Sequence, residues 1–370
     1  MGCAGLSLAY RMSLDPHFKD AKVLLLDQDH KNKNDRTWCF WEKEEGAFES
    51  IVHKAWTKLK FKSADFSNTA SIAPYAYKMI RGIDFYELVL GQLKKHPNFT
   101  IVFESITEIK ECGAFAAVAT ANASYSATYV FNSALRPKID LHSCNYVMQH
   151  FKGWVIETPE DTFDDTVATF MDFDIDQEGE ARFFYVMPTT KREALVELAI
   201  FSNQLLDDTA YNALIKDYTE KDLGILDYKV AHQEFGIIPM TDYDFTQHQT
   251  AHIIQIGTPG GQVKPSSGYA FSRIQKHVKK ILNNLKEEKH PAHRISSKAR
   301  YRFYDRIFLN VVVKNRLSAP EIFKNLFKSN PTPRVLSFLS EETSLFEDLL
   351  LINSPPKVPF TKALFDELLF

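Results

Sequence analysis

The stretch "MGCAGLSLAYRM" (residues 1–12) is followed, eleven positions on, by "VLLLDQD" (residues 23–29). A glycine turn that opens a helix, then a compact apolar run closed by an acid, is how a dinucleotide-binding βαβ unit continues after its first strand. Gly2 and Gly5 stand where the last two glycines of GxGxxG stand, and there the backbone N–H groups of a helix N-terminus approach a pyrophosphate. Asp27, twenty-two residues after Gly5, occupies the place of a carboxylate that accepts hydrogen bonds from a ribose. The strand that would lead into these glycines is absent from the sequence. The expectation is that the reading frame extends upstream of Met1 and that the 370-residue chain binds such a nucleotide poorly.

Bulk composition sets wide bounds. A chain of 370 residues exceeds the size at which one hydrophobic core usually stops growing, so two subdomains are expected. With 45% hydrophobic and 25% charged residues and a net charge of -3, the chain is globular and gives no general reason to expect a nucleic-acid partner. The 29 phenylalanines either line a long apolar pocket or simply fill a core. Cys3, Cys39, Cys112 and Cys144 form no CxxC pair, which suggests neither a zinc ribbon nor a disulfide framework and fits a reducing cytoplasm. No metal-ligating set is read. No apolar run approaches the eighteen or so residues needed to cross a bilayer, so contact with a membrane would be at its surface.

The chain divides by texture. Residues 1–27 read as helix then buried strand, "IDFYELVLGQLKKH" as a helix with Phe85, Leu88, Val89 and Leu93 on one face, and "FTIVFE" and "ATYVFNSA" as strands. From about 145 to 235 alternating patterns predict an antiparallel sheet, with a helix at "YNALIKDY". "HIIQIGTPGGQ" then restores an apolar strand running into a glycine turn, and "GYAFSRIQKHVKKILNNL" supplies the helix behind it. The resulting fold class is α/β: a discontinuous Rossmann-like nucleotide domain over 1–140 and 236–290, lacking its first strand, an inserted antiparallel substrate domain over 141–235, and a helical C-terminal region over 291–370. Gly257, Gly260 and Gly261, then Pro265 and Gly268, lie at a strand–helix junction, where small residues let backbone approach a flat ring closely.

Five strings in register, "RTWCFW" (Arg36 to Trp41), "RFFYVMP" (Arg182 to Pro188), "ALVELAIFS" (Ala194 to Ser202), "EFGIIPM" (Glu234 to Met240) and "IGTPGGQVKPSSGYAFSRIQ" (Ile256 to Gln275), resemble the lycopene cyclases of carotenoid synthesis, and within them the bacterial β-cyclase branch. The resemblance implies an FAD-binding fold of the glutathione-reductase type, with Gly2, Gly5, Asp27, Gly257, Gly260, Gly261, Lys264, Pro265 and Gly268 at the cofactor. It implies reduced FAD with NAD(P)H as reductant, lycopene as substrate, and a peripheral position on the cytoplasmic face of a membrane. The reaction is a cyclisation without net redox change: a proton is delivered to a terminal double bond, a cation is held away from water, and a proton is removed after ring closure. Reduced flavin is thought to stabilise the cation electrostatically.

By resemblance the acid falls at Glu197 in "LVELA", where Leu198 and Ala199 depart from the family pattern, so a second carboxylate has to come from elsewhere. Read from the residues alone, Leu195, Glu197 and Ala199 share one face of a strand, and Glu197 could equally face solvent. Glu234 is the second candidate by resemblance, with a buried, backbone-satisfied acid as the alternative. Trp38, Phe40 and Trp41 either stack on a polyene or its cation, or belong to the core. Asp172 and Asp174 are read as solvating a sheet edge. "FLSEETS" (Phe338 to Ser344) mimics an acid motif but reads as a helix start at Ser340 followed by acids in the first turn. Arg136 is a weak flavin-contact candidate, because Asn132, Ser133 and Ala134 precede it. The rival readings are another FAD enzyme of this fold, a hydroxylase or polyprenyl reductase, and a decayed carotenoid-binding protein.

Overall fold

A computed structural model describes residues 1–134, 138–293 and 297–369, so Arg136 lies outside the described residues. In chain order the first elements are helix α1 (Cys3–Leu14), strands β1 (Val23–Asp27), β2 (Thr37–Glu42), β3 (Lys54–Trp56), β4 (Lys58–Ser63), β5 (Phe66–Ser71) and β6 (Ala76–Arg81), and helix α2 (Gly82–Leu93). There follow β7 (Phe99–Phe103), β8 (Ile106–Glu111), β9 (Ala116–Thr120), β10 (Ser124–Ala127), β11 (Val130–Asn132), β12 (Tyr146–Glu157), β13 (Val167–Asp172), β14 (Ala181–Pro188), β15 (Glu193–Phe201), α3 (Asp208–Asp217), β16 (Lys229–Thr241) and β17 (Ile253–Gln255). Five helices, α4 (Phe271–Lys286), α5 (Ala299–Val313), α6 (Ala319–Ser329), α7 (Thr332–Leu339) and α8 (Leu345–Ile352), lead to a last one, α9 (Lys357–Leu369).

The apolar run of β1 pairs in parallel with β7, from Val23 opposite Phe99 to Asp27 opposite Phe103, and β11 pairs in parallel with β17. Helices α1, α2 and α4 cover this layer through Leu6, Leu8, Phe85, Val89, Ile274, Val278 and Ile281, one cluster that the helical spacing of these residues dictates. The layer is split. A cavity of about 1170 Å³ opens between the two strand pairs, lined by Gly5, Leu8 and Ala9 of α1, Val23 to Leu26 of β1 and Val130 to Asn132 of β11.

The second layer is a seven-stranded sheet in the order β16-β12-β15-β14-β13-β4-β5, antiparallel except where β13 meets β4. Its central strands β14 and β15 are buried on both faces, and the outer strands β4, β5 and β16 alternate more buried with more exposed residues. One face, with Leu195, Ala199 and Phe201, packs on β2, β6 and the helices α6 and α7; the other, with Val196, Leu198 and Ile200, packs on α3. Strands β4 and β5 come from residues 58–71, far upstream of the rest, because the alternation in "KLKFKS" buries Leu59 and Phe61 and turns the lysines out.

Two expectations fail here. Asp172 is not a solvated edge: it is buried, accepts a hydrogen bond of 2.8 Å from the Tyr218 hydroxyl and lies 3.5 Å from Lys62 Nζ, and only Asp174 stays half exposed. Nor does a helix start at Ser340. Ser340 closes α7, Glu341 has a φ of 62°, and Ser344 caps α8 through a reciprocal box with Glu347, so the acids read as first-turn residues belong to the turn between the helices.

Candidate active site

Sheet register assembles the site. Across four neighbouring strands Glu234 of β16 lies opposite Gly153 of β12, Gly153 opposite Glu197 of β15, and Glu197 opposite Tyr185 of β14. The flanking rows are apolar apart from His232: Gly236, Phe151, Ala199 and Phe183 on one side, His232, Val155, Leu195 and Met187 on the other. Two carboxyls are therefore set side by side in a hydrophobic surface, with Glu197 9% and Glu234 6% exposed.

The carboxyls hydrogen-bond to each other, and neither forms an ion pair among the described residues. Burial pushes the Glu197 carboxyl well above its usual range, and the charge of Glu234 and its role as acceptor push it further. Burial also raises Glu234, but the hydrogen bonds it accepts from Glu197 and from Thr37 Oγ1, the latter 2.7 Å from its Oε2, oppose that rise. The proton accordingly rests on Glu197, and Glu234 is the carboxylate that holds it, the arrangement of a carboxyl pair sharing one proton. Cys39, two residues after Thr37 on β2, lies beside the pair with its thiol pushed up by burial and by both acids, and its Sγ is 3.3 Å from Met187 Sδ.

Beside Glu197, opposite it in register, Tyr185 begins a chain of phenols. Tyr185 OH accepts from Tyr269 OH at 3.4 Å, and Tyr269 OH is 3.3 Å from Tyr77 OH; burial raises all three above the ordinary phenol value. Trp41 stands edge-on to Tyr269 at 4.7 Å between ring centres, and its indole N–H donates to Leu336 O and Ser340 Oγ. Strand alternation sends the other two residues of the "WCFW" run elsewhere: Phe40 stacks on Phe271 at 4.3 Å and Trp38 packs edge-on against Phe85 at 5.1 Å, both on the α2 and α4 side.

Tyr269 follows the glycine-rich loop. Gly268 has a φ of 74°, and a Cβ there would meet Gln149 Oε1 at 2.0 Å; at Gly260 it would meet the Gln255 carbonyl at 2.4 Å. Glycine at these two positions lets the loop fold tightly, with the Gln149 side chain against Gly268 and the Gln255 carbonyl against Gly260. Buried polar atoms without partners among the described residues collect around it: Ser267 Oγ, Gln149 Oε1 and Gln262 Nε2, whose Oε1 already accepts from Gly257 N–H at 2.9 Å. A polar heteroaromatic ring with donors and acceptors on its edge fits these orphans. Pro265 is half-buried in the same loop, while Lys264 turns from it to Asp305 at 2.7 Å and Glu341 at 3.2 Å, where Arg273 also meets Glu341. Gly2 precedes α1 with open space at its Cβ position, and a Cβ built at Gly5 would lie 3.9 Å from Ser133 Oγ. Asp27 pairs with the Met1 ammonium at 2.6 Å and with Lys31 at 3.3 Å.

Sequence reasoning named both acids but not their neighbours. Thr37 and Cys39 lie inside a quoted string, yet nothing local says that Thr37 reaches a residue 197 positions away. Gly153, Tyr185 and Glu341 also escaped; only the shared strand parity of Tyr185 and Glu197 could have hinted at one row.

A family profile described as lycopene cyclase protein matches residues 1–365. A lycopene beta-cyclase of Pseudescherichia vulneris is 23% identical over 212 residues, 54% of this chain and 54% of that one, so the chain spans about half the length of the curated relative it matches. Among solved structures, a geranylgeranyl bacteriochlorophyll reductase-like protein of Thermoplasma acidophilum superposes with a TM-score of 0.64 at 11% identity over 98% of this chain and 96% of that one. A variant of Klebsiella pneumoniae HpxO complexed with FAD gives 0.62 at 12% identity, over 92% and 96%. A flavoprotein/dehydrogenase of Cytophaga hutchinsonii gives 0.64 at 10%, over 99% and 97%. The fold is that of these flavoproteins.

Proposed function

The chain belongs to the lycopene cyclase family, and from that premise we propose that it is a lycopene β-cyclase that closes the linear ends of lycopene into β-rings. The observation that carries this reading is the buried, proton-sharing pair Glu197 and Glu234 in an apolar surface. A hydrocarbon has no polar group to protonate, so such an enzyme needs a carboxyl that still holds its proton near neutral pH, in an apolar setting that excludes water.

In this reading Glu197 gives its proton to the terminal double bond of the substrate. The neighbouring double bond attacks the resulting cation, the new carbon–carbon bond closes the ring, and a proton leaves the adjacent carbon. Glu234, held by Thr37, keeps Glu197 protonated beforehand, and the carboxylate left by donation is the base that recovers the final proton. Tyr77, Tyr185, Tyr269 and Trp41 surround the cation with ring faces, which attract positive charge. The loop from Gly257 to Gly268 with Ser267, Gln262 and Gln149, and the α1 end with Gly2, Gly5 and Asp27, would hold reduced FAD, which would supply electron-rich charge next to the cation, with NAD(P)H as its reductant. We place the protein peripherally on the cytoplasmic face of a membrane, where lycopene dissolves. No described helix is long and apolar enough to cross a bilayer, while Leu345, Phe346 and Leu349 of α8 and Val358 and Phe365 of α9 are exposed.

The test is expression in bacteria that accumulate lycopene, followed by chromatography of the pigments. Cyclised carotene is expected from the native chain, with a fall of at least about 100-fold in Glu197→Gln protein of undiminished solubility. Consumption of reduced nicotinamide in proportion to a hydrogenated or hydroxylated product would instead indicate a reductase or hydroxylase of the same fold, and bound but unchanged lycopene a carotenoid-binding protein.

A further inference from the structure

Glu197 and Glu234 sit on strands that are not neighbours. They are separated by β12, and the residue between them is Gly153, paired in register with both. A side chain at that position would rise from the same face of the sheet into the space where the two carboxyls meet. Built onto the backbone, a Cβ at Gly153 lies 3.1 Å from Glu197 Oε2 and 3.3 Å from Glu197 Cβ, and 2.8 Å from Leu195 Cδ1. The backbone of Gly153 shows no positive φ, so neither a turn nor strain calls for glycine here. Glycine in the middle of a central strand costs stability, since it packs nothing and loses more freedom on folding than any other residue. What the missing side chain leaves is the gap across which the acids bond.

We propose that Gly153 is the positioning residue of this site: by leaving the middle strand bare it lets Glu197 and Glu234 hold one proton between them across a strand. The inference deepens the reading of the pair as acid and base, and its test does not depend on cyclisation. Sharing stabilises the singly protonated pair, so the first proton to leave goes at a lower pH and the second at a higher one than in separated acids. Other titratable or charged groups that face the pair are Cys39 from β2, Tyr185 from β14, His232 on β16 and Asp35 ahead of β2.

The experiment is an infrared titration of the protonated-carboxyl band in the full chain, with Glu197→Gln and Glu234→Gln to assign it and His232→Gln to remove the imidazole's contribution. The native protein is expected to lose its two carboxyl protons in two steps at least about two pH units apart. A single unresolved step in the native chain would overturn the proposal without any change at Gly153. In Gly153→Ala the interval is expected to narrow by at least about one unit, a tenfold change in relative proton affinity. Should Gly153→Ala fold poorly, Leu195→Ala combined with it removes the apolar conflict and leaves the one with Glu197, and the same narrowing is expected. An unchanged interval in either folded variant, with only the melting temperature lowered, would reduce Gly153 to a packing role and overturn the inference. If the interval narrows but lycopene is never cyclised by the native chain, the positioning role stands and the functional reading fails.

Discussion

The two layers of this molecule handle space in opposite ways. The seven-stranded sheet is packed on both faces at its centre, β14 and β15, and its register encloses Glu197 and Glu234 there. The parallel layer is split by a cavity of about 1170 Å³ between β1 and β11. The lesson is that acid chemistry and nucleotide contact ask for different surroundings. A raised carboxyl needs dense apolar packing to exclude water, whereas strand ends and glycine turns that meet a cofactor have to leave backbone uncovered.

The largest contrast should appear on removing bulk. Phe170, fully buried against Trp41, Tyr77 and Tyr269, is expected to cost about 3–5 kcal/mol on truncation to Ala. Leu24 lines the cavity and is 37% exposed, so Leu24→Ala should cost under about 1 kcal/mol by denaturant melts. Equal losses would mean that the two layers are equally well packed. Next in size, joining to Met1 an apolar strand that ends in one glycine, which completes Gly-x-Gly with Met1 and Gly2, is expected to raise stability by about 3 kcal/mol, since burying two leucine-sized side chains in the cavity contributes that much. An unchanged melt would show that the cavity does not accept a strand.

The smallest effects separate the two charge environments by pH. Glu197 has a folded-state pKa raised above the ordinary 4.5, so its contribution to stability is full below that value and is lost as pH rises toward the folded one. Glu197→Gln should therefore gain on the native chain as pH climbs, by up to about 1.4 kcal/mol per unit within that window. Glu341 is the reverse: burial opposes ionisation, but Lys264 and Arg273 hold it down at about 2, so its contribution is present above 4.5 and lost as pH falls through about 2. Glu341→Gln should be less stable than the native chain at neutral pH and equal to it in strong acid. Melts in which both variants shift in the same direction would break the contrast.

Much of this was legible in the sequence, and the parts that were not share a cause. Apolar runs and glycine turns announced β1, β17, α1 and α4, and alternation announced β12 to β15, because those signals are local. The two acids were named as candidates by resemblance, yet their adjacency was not read, since Glu197 and Glu234 lie 37 residues apart and only the register through Gly153 joins them. The hairpin of β4 and β5 was invisible for the same reason: its pattern says strand, while its partner β13 is about a hundred residues away. Ser340 and Glu341 misled because a capping pattern is short enough to occur twice in seven residues, and the real cap at Ser344 differs only in having Glu347 three positions on.

Cyclisation as proposed passes one proton from Glu197 into the substrate and takes another from it. Reduced flavoprotein held in heavy water until the buried carboxyl has exchanged, then given lycopene for a single ring closure, should yield product carrying one deuterium in that ring by mass spectrometry, with no reduced nicotinamide consumed in proportion to it. Product without deuterium, or deuterium matched by equal nicotinamide oxidation, would contradict it.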